Sequence, residues 1–359
     1  MINFDFQHEC TGCSACADAC PVSCISMGED RDGFRMPQID QDSCVGCGRC
    51  EKFCPALNYM AGTYTDRKCY VVYHRNAGIR HCGSSGSVFY ALAENVILHN
   101  GVVYAAAMDD RLKLRHTRAT DMSGVHRQMK SKYLQSDTQG VYKQVQKDLK
   151  DGTTVLFVGT PCQCQALHNI IPPSLRSKLV LADMICHGVP SQSLFDKSIA
   201  HYERQHGCKV MHFSFREKTT EALRNYKMTI RKEDGQVAEK IGDSDGIPFC
   251  LGYFNHVTQR HSCYNCRQRS IERASDLTLG DFWALEQLKP VDDFQKGYSS
   301  VIVNSQLGGA ILEQLTTCVV EEIENGIDFV ASHNHAYTKP DEEGLMRLFF
   351  FGSTGFSVS

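Results

Sequence analysis

Residues 10–21 read CTGCSACADACP and residues 44–55 read CVGCGRCEKFCP, two copies of a C-x2-C-x2-C-x3-C spacing closed by proline. Three thiolates from one tight loop can grip three irons of a cubane, while the fourth cysteine, carried along the next turn, reaches the other cluster. That logic assigns Cys10, Cys13, Cys16 and Cys54 to one 4Fe-4S cluster and Cys20, Cys44, Cys47 and Cys50 to a second. Each cassette therefore requires its partner. Small residues between the ligands, such as Gly12, Ala15 and Gly46, let backbone amides crowd the sulfides. The alternatives are zinc knuckles and disulfides, but zinc sites usually take two C-x2-C pairs across a longer span. Cys24, just outside the first cassette, reads as a packed thiol.

At 359 residues the chain has room for a small cluster module and one substantial domain. A net charge of −3 argues against nucleic acid as a partner, and the charge is uneven, with nine acidic residues against four basic ones in residues 1–60. Nineteen cysteines would suit a secreted disulfide scaffold, yet MINFDFQHEC has no basic stretch followed by an apolar run. No segment approaches the roughly eighteen uninterrupted apolar residues of a membrane span. The expectation is a reducing cytoplasm and no membrane span.

The organisation predicts an α+β, ferredoxin-like two-cluster domain at 1–60, a linker at 61–68, an α/β domain with a mixed sheet at 69–345 and an apolar tail at 346–359. CYVVYH reads as a strand, VFYALAENVILHN as a helix, GVVYAAAM and KLRHTRAT as strands, and TQGVYKQVQKDLKDG as a helix. TTVLFVGTPCQCQALHNII then reads as a buried strand, a loop and a helix start, and KLVLADMICHGVPS as a buried strand ending in a loop. Beyond residue 208 come a hairpin-like pair, KVMHFSFREK and NYKMTIRKEDG, a helix-like stretch, the strand DLTLGDFW, and SSVIVNS with GGAILEQLTTC as one more strand and helix. Ligands of open α/β sheets sit beyond the carboxyl ends of strands, where both GTPC and ICHG fall.

GSSGSVFYALAENVI at 83–97, SKYLQSD at 131–137, GTPCQ at 159–163, ICHGVPS at 185–191, CYNC at 263–266 and SDLTLGDFW at 275–283 together resemble the coenzyme F-420 hydrogenase/dehydrogenase beta-subunit family. These are iron-sulfur flavoproteins that include plant and cyanobacterial reductases acting on chlorophyll precursors. The resemblance spans roughly residues 69–285 and implies FAD or FMN in the α/β domain. Ser84, Ser85, Gly86 and Ser87 form a loop opening a helix, where amides and hydroxyls hold a cofactor phosphate; an ordinary helix cap is the alternative. Lys132 is a candidate for neutralising a phosphate or standing at the flavin N1 and O2 edge, with a surface lysine as the plain alternative. Gly159, Thr160, Pro161 and Gln163 share the same expectation of flavin contact. Ser87 stands where the family commonly has glycine, and ERASD where arginine, one residue and glycine-aspartate are usual.

Cys162, Cys186, Cys263 and Cys266 lie inside these motifs, and a third 4Fe-4S cluster is one reading of them. The other makes Cys162 and Cys186 separate thiols, with CYNC binding zinc or nothing. Cys82 and Cys164 adjoin the expected cofactor loops, and His187 is the one histidine expected near the flavin as a proton donor. The leading expectation is an oxidoreductase that moves electrons between clusters and a flavin acting on an organic substrate, with ferredoxin or a partner subunit docking at the acidic module. An electron-transfer subunit exchanging hydride with coenzyme F-420 or NAD(P)H for a hydrogenase or dehydrogenase is the second reading, and a non-catalytic iron-sulfur binder or sensor the third. A homo-oligomer is compatible with each.

Overall fold

The computed structural model describes residues 6–218, 227–241, 248–291 and 296–344, so the tail at 346–359 lies outside the described residues. After a short turn of helix, α1 (Phe6–Glu9), each cassette runs into a five-residue helix, α2 (Ala15–Ala19) and α3 (Arg49–Phe53). Between them β1 (Ile25–Glu29) and β2 (Arg35–Ile39) pair antiparallel, Ile25 opposite Ile39. Residues 60–67 form no regular element, but the stretch is held in place: Asn169 Nδ2 donates to the Asn58 carbonyl (2.9 Å) and Tyr59 Oη to that of Glu272 (2.8 Å).

The main sheet has eight strands: β3 (Lys68–His74), β4 (Val102–Met108), β5 (Leu114–Ala119), β6 (Val155–Gly159), β7 (Leu179–Met184), β11 (Leu277–Asp281), β12 (Ser299–Val303) and β13 (Cys318–Glu322). Their spatial order is β13-β3-β12-β11-β7-β6-β4-β5. The central four, β11, β7, β6 and β4, run parallel, and the flanking pairs are antiparallel, so the sheet is mixed. All five residues of β6 are buried, as a strand covered on both faces requires. One face packs under α5 (Val88–Leu98), α6 (Met122–Gln128) and α12 (Gln306–Glu313), with α4 (Ala77–Cys82) leading in. The other packs under α7 (Val141–Lys150) and α8 (Pro161–Ile170), and Cys13 and Ala15 of the first cassette enter that same core.

The cluster module is thus part of the domain's hydrophobic packing. Arg260, 1% exposed, ties the two together: its guanidinium donates to the carbonyls of Cys10 (3.2 Å) and Arg35 (2.8 Å) and to Gln135 Oε1 (2.9 Å). Gly12, at φ +63°, is glycine for a second reason, since a Cβ there would meet the Arg260 guanidinium at 2.4 Å. Asp18 accepts from the amides of Gly140 (2.7 Å) and Tyr142 (3.0 Å), a carboxylate at the start of α7 where the helix dipole favours it.

A second sheet of β8 (Val210–Glu217), β9 (Lys227–Lys232) and β10 (Val237–Ile241) is antiparallel and joins α9 (Gln192–His206) and α10 (Pro248–Phe254) in an aromatic core of Phe195, Phe213, Phe215 and Phe249. The chain then runs through α11 (His261–Tyr264) and ends its described part with α13 (Gly326–His333). Two features correct the sequence reading. The helix expected through GGAILEQLTTC stops at Glu313, because Cys318 starts a strand beside β3, paired with His74. The fifteen-residue α9 was not anticipated, although Ser191 caps it and Leu194, Phe195, Ile199 and Tyr202 bury one face.

Candidate functional site

Four cavities lie in series through the molecule. The outermost is lined by Cys20, Cys44, Cys47 and Cys50, with Cys24 also in its wall, its sulfur 3.4 Å from that of Cys20. Cys47 is exposed and the neighbouring Val45 is 64% exposed, so this end faces outward. The next cavity is lined by Cys10, Cys13, Cys16 and Cys54, all buried. The cross-paired arrangement, three cysteines from one cassette and one from the other, follows from the two cassette helices lying side by side.

The third cavity takes Cys162 from the turn after β6, Cys186 from the loop after β7, and Cys263 and Cys266 from α11 and the turn beyond it. Thr11 lines both this cavity and the preceding one. Crowding so many thiols without a cation disfavours their ionised form. Burial and then Cys54 push Cys13 up to about 12, burial and then Cys266 push Cys263 up to about 12, and Cys162 is raised well above the ordinary range for the same reasons. A thiol set that cannot hold its own negative charge fits a polycationic iron-sulfur core, which supplies the missing charge. The sets fit in number and softness as well: four sulfurs in each place.

The largest cavity, about 450 Å³, lies beyond the carboxyl ends of β4, β6, β7 and β11, the four parallel strands. Its volume is within the range of a small-molecule or cofactor site. Ser136, Thr160, Gln163, Cys186, Gly188 and Val189 line both it and the four-cysteine cavity, so only one layer of side chains separates the two. Thr160 and Gln163 form a capping box on α8, with Gln163 Oε1 accepting from the Thr160 amide (3.0 Å), and Pro161 occupies the first turn; these residues shape the wall.

The serine loop is more committed to the protein than its sequence suggested. Ser85 Oγ donates to the Tyr298 carbonyl, and Ser87 Oγ donates to that of Ile79 (2.9 Å). Ser84 Oγ instead accepts from the amide (2.9 Å) and hydroxyl (3.1 Å) of Ser131, joining the loop to SKYLQSD on the cavity wall. Gly86 has no room for a Cβ, which would lie 2.2 Å from the Val72 carbonyl. Ser87 sits at φ +63°, the left-handed region where glycine is at ease, and gives α5 no side-chain cap. First-turn amides of α5 thus border the cavity without a capping side chain.

Lys132 also lines the cavity, but its ammonium donates to three carbonyls, those of Ala106 (2.8 Å), Gln128 (2.6 Å) and Met129 (2.7 Å). Burial and neighbouring Lys130 push it down to about 7. His187 is in the cavity wall, and burial with the charge of Arg269 pushes it down to about 4, so the neutral ring prevails at pH 7. Cys164 is packed with its thiol toward the Ala182 carbonyl, and Cys82 is exposed at the end of α4. Sequence reasoning missed the Arg216–Asp281 bidentate pair (2.8 and 2.7 Å) in the wall, Lys218 holding the Ser85 carbonyl, and His256 and His335. Only Asp281, inside LGDFW, had a sequence signal.

His116 reports on the packing beneath the cavity. Its Nε2 lies 3.0 Å from the Val158 carbonyl, its Nδ1 2.9 Å from Ser136 Oγ, and its ring stacks on Phe157. Burial pushes it down to about 4, whereas an unfolded histidine titrates near 6.5. The unfolded state therefore binds more protons as pH falls below 6.5, and stability is lost. Between pH 7.5 and 5.5 the loss is about 1.4 kcal/mol. Denaturation midpoints of the wild type and His116→Gln measured at both values check it: the variant should lose that much less on acidification.

Residues 152–327 match the family described as the C terminus of the coenzyme F420 hydrogenase/dehydrogenase beta subunit, and residues 9–58 match the 4Fe-4S dicluster domain. The chain is similar in fold to a chain of the F420-reducing NiFe hydrogenase complex from Methanosarcina barkeri, at 16% identity and a TM-score of 0.50, over 78% of this chain and 91% of that one. No curated protein matches the sequence. No helix among the described residues is long and apolar enough to cross a membrane.

Proposed function

We propose, for a chain that belongs at residues 152–327 to the coenzyme F420 hydrogenase/dehydrogenase beta-subunit family and carries a 4Fe-4S dicluster domain at residues 9–58, the function of an iron-sulfur flavoprotein oxidoreductase acting on an organic substrate. The observation that carries the reading is the serial order of the cavities: three four-cysteine sets leading inward to one large cavity at the ends of the parallel strands. Filled in that way, the site combines one-electron carriers with a flavin able to exchange two electrons with a substrate.

The chain's own residues have separable tasks. The uncapped first turn of α5 and the Ser84 hydroxyl offer donors to a cofactor phosphate. Lys132, tied to three carbonyls, keeps its charge in the wall beside the cavity and positions the segment carrying Ser131. The Arg216–Asp281 pair braces the wall from β8 to β11. Tyr133 and Tyr253, stacked at 4.8 Å, cover the cavity and help keep water out. The exposed second cassette, with Val45 and Val22 on the surface beside its cysteines, is the docking place for ferredoxin or a partner subunit.

The test is anaerobic purification with iron, sulfide and flavin counted on one sample. The expected result is about one flavin per chain, and an iron-loaded, folded chain that retains no flavin after reconstitution with FAD and FMN overturns the proposal. Ala106→Phe, which plants a ring in the cavity wall, should lower flavin occupancy at least about tenfold at unchanged iron content, because an overpacked site must exclude its ligand.

A further inference from the structure

His187, His256 and His335 stand together on the wall of the large cavity, brought there by the loop after β7, the turn after α10 and the turn after α13. Their ring centroids are 6.2, 5.9 and 6.2 Å apart, and one nitrogen of each ring lies within 4.8 Å of one nitrogen of each of the others. Three imidazoles on a tetrahedral zinc, with Zn–N bonds of about 2.0–2.1 Å, hold their nitrogens roughly 3.3 Å apart. Closing the difference takes side-chain rotation of about an ångström or so per ring, without moving an element.

Asp341 supplies what metal-bound histidines ordinarily need behind them. Its carboxylate lies 3.1 Å from His256 Nδ1 and 2.5 Å from His335 Nε2, and it accepts from Arg269 Nη1 at 2.8 Å. A carboxylate on one imidazole nitrogen fixes the tautomer and leaves the lone pair on the other, raising its basicity. Burial works against the charge, but His256, Arg269 and His335 hold Asp341 well below the usual carboxylate range, so it is an acceptor at any working pH. His256 is moreover a non-glycine residue at φ +55°, an unfavourable backbone that this turn maintains.

The geometry points to a divalent metal site in which His187, His256 and His335 are the ligands and Asp341 positions two of them. Neutral nitrogen donors in a three-histidine set favour zinc or cobalt over magnesium or calcium. Because all three rings line the cavity, the fourth coordination position opens into it. An oxygen of the molecule bound there, from a carboxylate, carbonyl or phosphate, is the class of ligand that position takes. The site is independent of the flavin reading, since its ligands and its test are its own.

Equilibrium dialysis of the anaerobically purified chain, clusters assembled, against zinc in the low micromolar range is the test. The expected result is about one zinc per chain, lost in the double variant His256→Ala/His335→Ala at unchanged iron content, with Asp341→Asn weakening zinc about 10–100-fold. No stoichiometric zinc in the parent, or the same zinc in parent and double variant, overturns the inference. Should the double variant not fold, X-ray absorption on the zinc-loaded parent decides: a first shell with three imidazoles supports the site, and sulfur in that shell overturns it.

Discussion

Changing Cys263 and Cys266 to serine should lower the iron content from about twelve to about eight per chain while leaving flavin bound. The expectation follows from geometry that no pair of cysteines has alone. Cys263 and Cys266 share one cavity with Cys162 and Cys186, next to Thr11 of the first cassette on one side and to the large cavity on the other. A cluster there completes the series, so its loss should cut cluster-to-flavin electron exchange by at least about a hundredfold, measured as reduction of bound flavin by a chemically reduced ferredoxin. Serine is nearly isosteric, so the fold should survive. Cys162→Ala from the opposite wall should give the same iron loss. Unchanged iron in an intact flavoprotein would rule out the third cluster.

Arg260→Met should have the largest effect on stability. The guanidinium is fully buried, lies 4.9 Å from the Phe34 ring and serves three acceptors from separate segments. Removing it orphans the carbonyls of Cys10 and Arg35, and hydrogen bonds from a charged donor are worth about 1.5–3 kcal/mol each, so a loss of about 3–5 kcal/mol is expected after allowing for non-additivity. Lysine should not rescue it, because a single ammonium cannot span acceptors that the planar fork reaches together. The measurement is limited proteolysis at the connector, where Arg67 and Lys68 offer trypsin sites, with iron content followed in parallel. Faster cleavage and loss of the first cassette's iron are expected, and cleavage at the wild-type rate would show that the core contacts of Cys13 and Ala15 suffice to hold the module.

The parts of this protein that were legible in its sequence are those whose physics is local. The cassette spacing, the alternation of buried strands with helices, and the glycine and serine loops each lie within a few residues, and the order of strands and helices from Lys68 to Val303 followed from them. The α9 helix was legible in the same way, since Leu194, Phe195, Ile199 and Tyr202 recur at helical spacing; it went unassigned beside the stronger signal of ICHGVPS just before it. The final strand and helix were less legible: β13 carries two glutamates in five residues, as an edge strand tolerates, and only its pairing with β3 makes it a strand.

What tertiary structure alone decided is which distant residues meet. Arg260 has no local signal of burial, because a charged side chain goes inside only where acceptors from other segments await it. The serines of GSSGS were read as free donors, but neighbouring carbonyls had claimed two of their hydroxyls. His187, His256 and His335 are separated by 69 and 79 positions and lie on three unrelated turns, so no spacing rule could have grouped them. A linear text records covalent neighbours, and so by itself this sequence determined the cassettes, the order of elements and the family. Burial, hydrogen-bond satisfaction and the convergence of side chains at the ends of four parallel strands depend on packing between segments, and only the folded chain decided those.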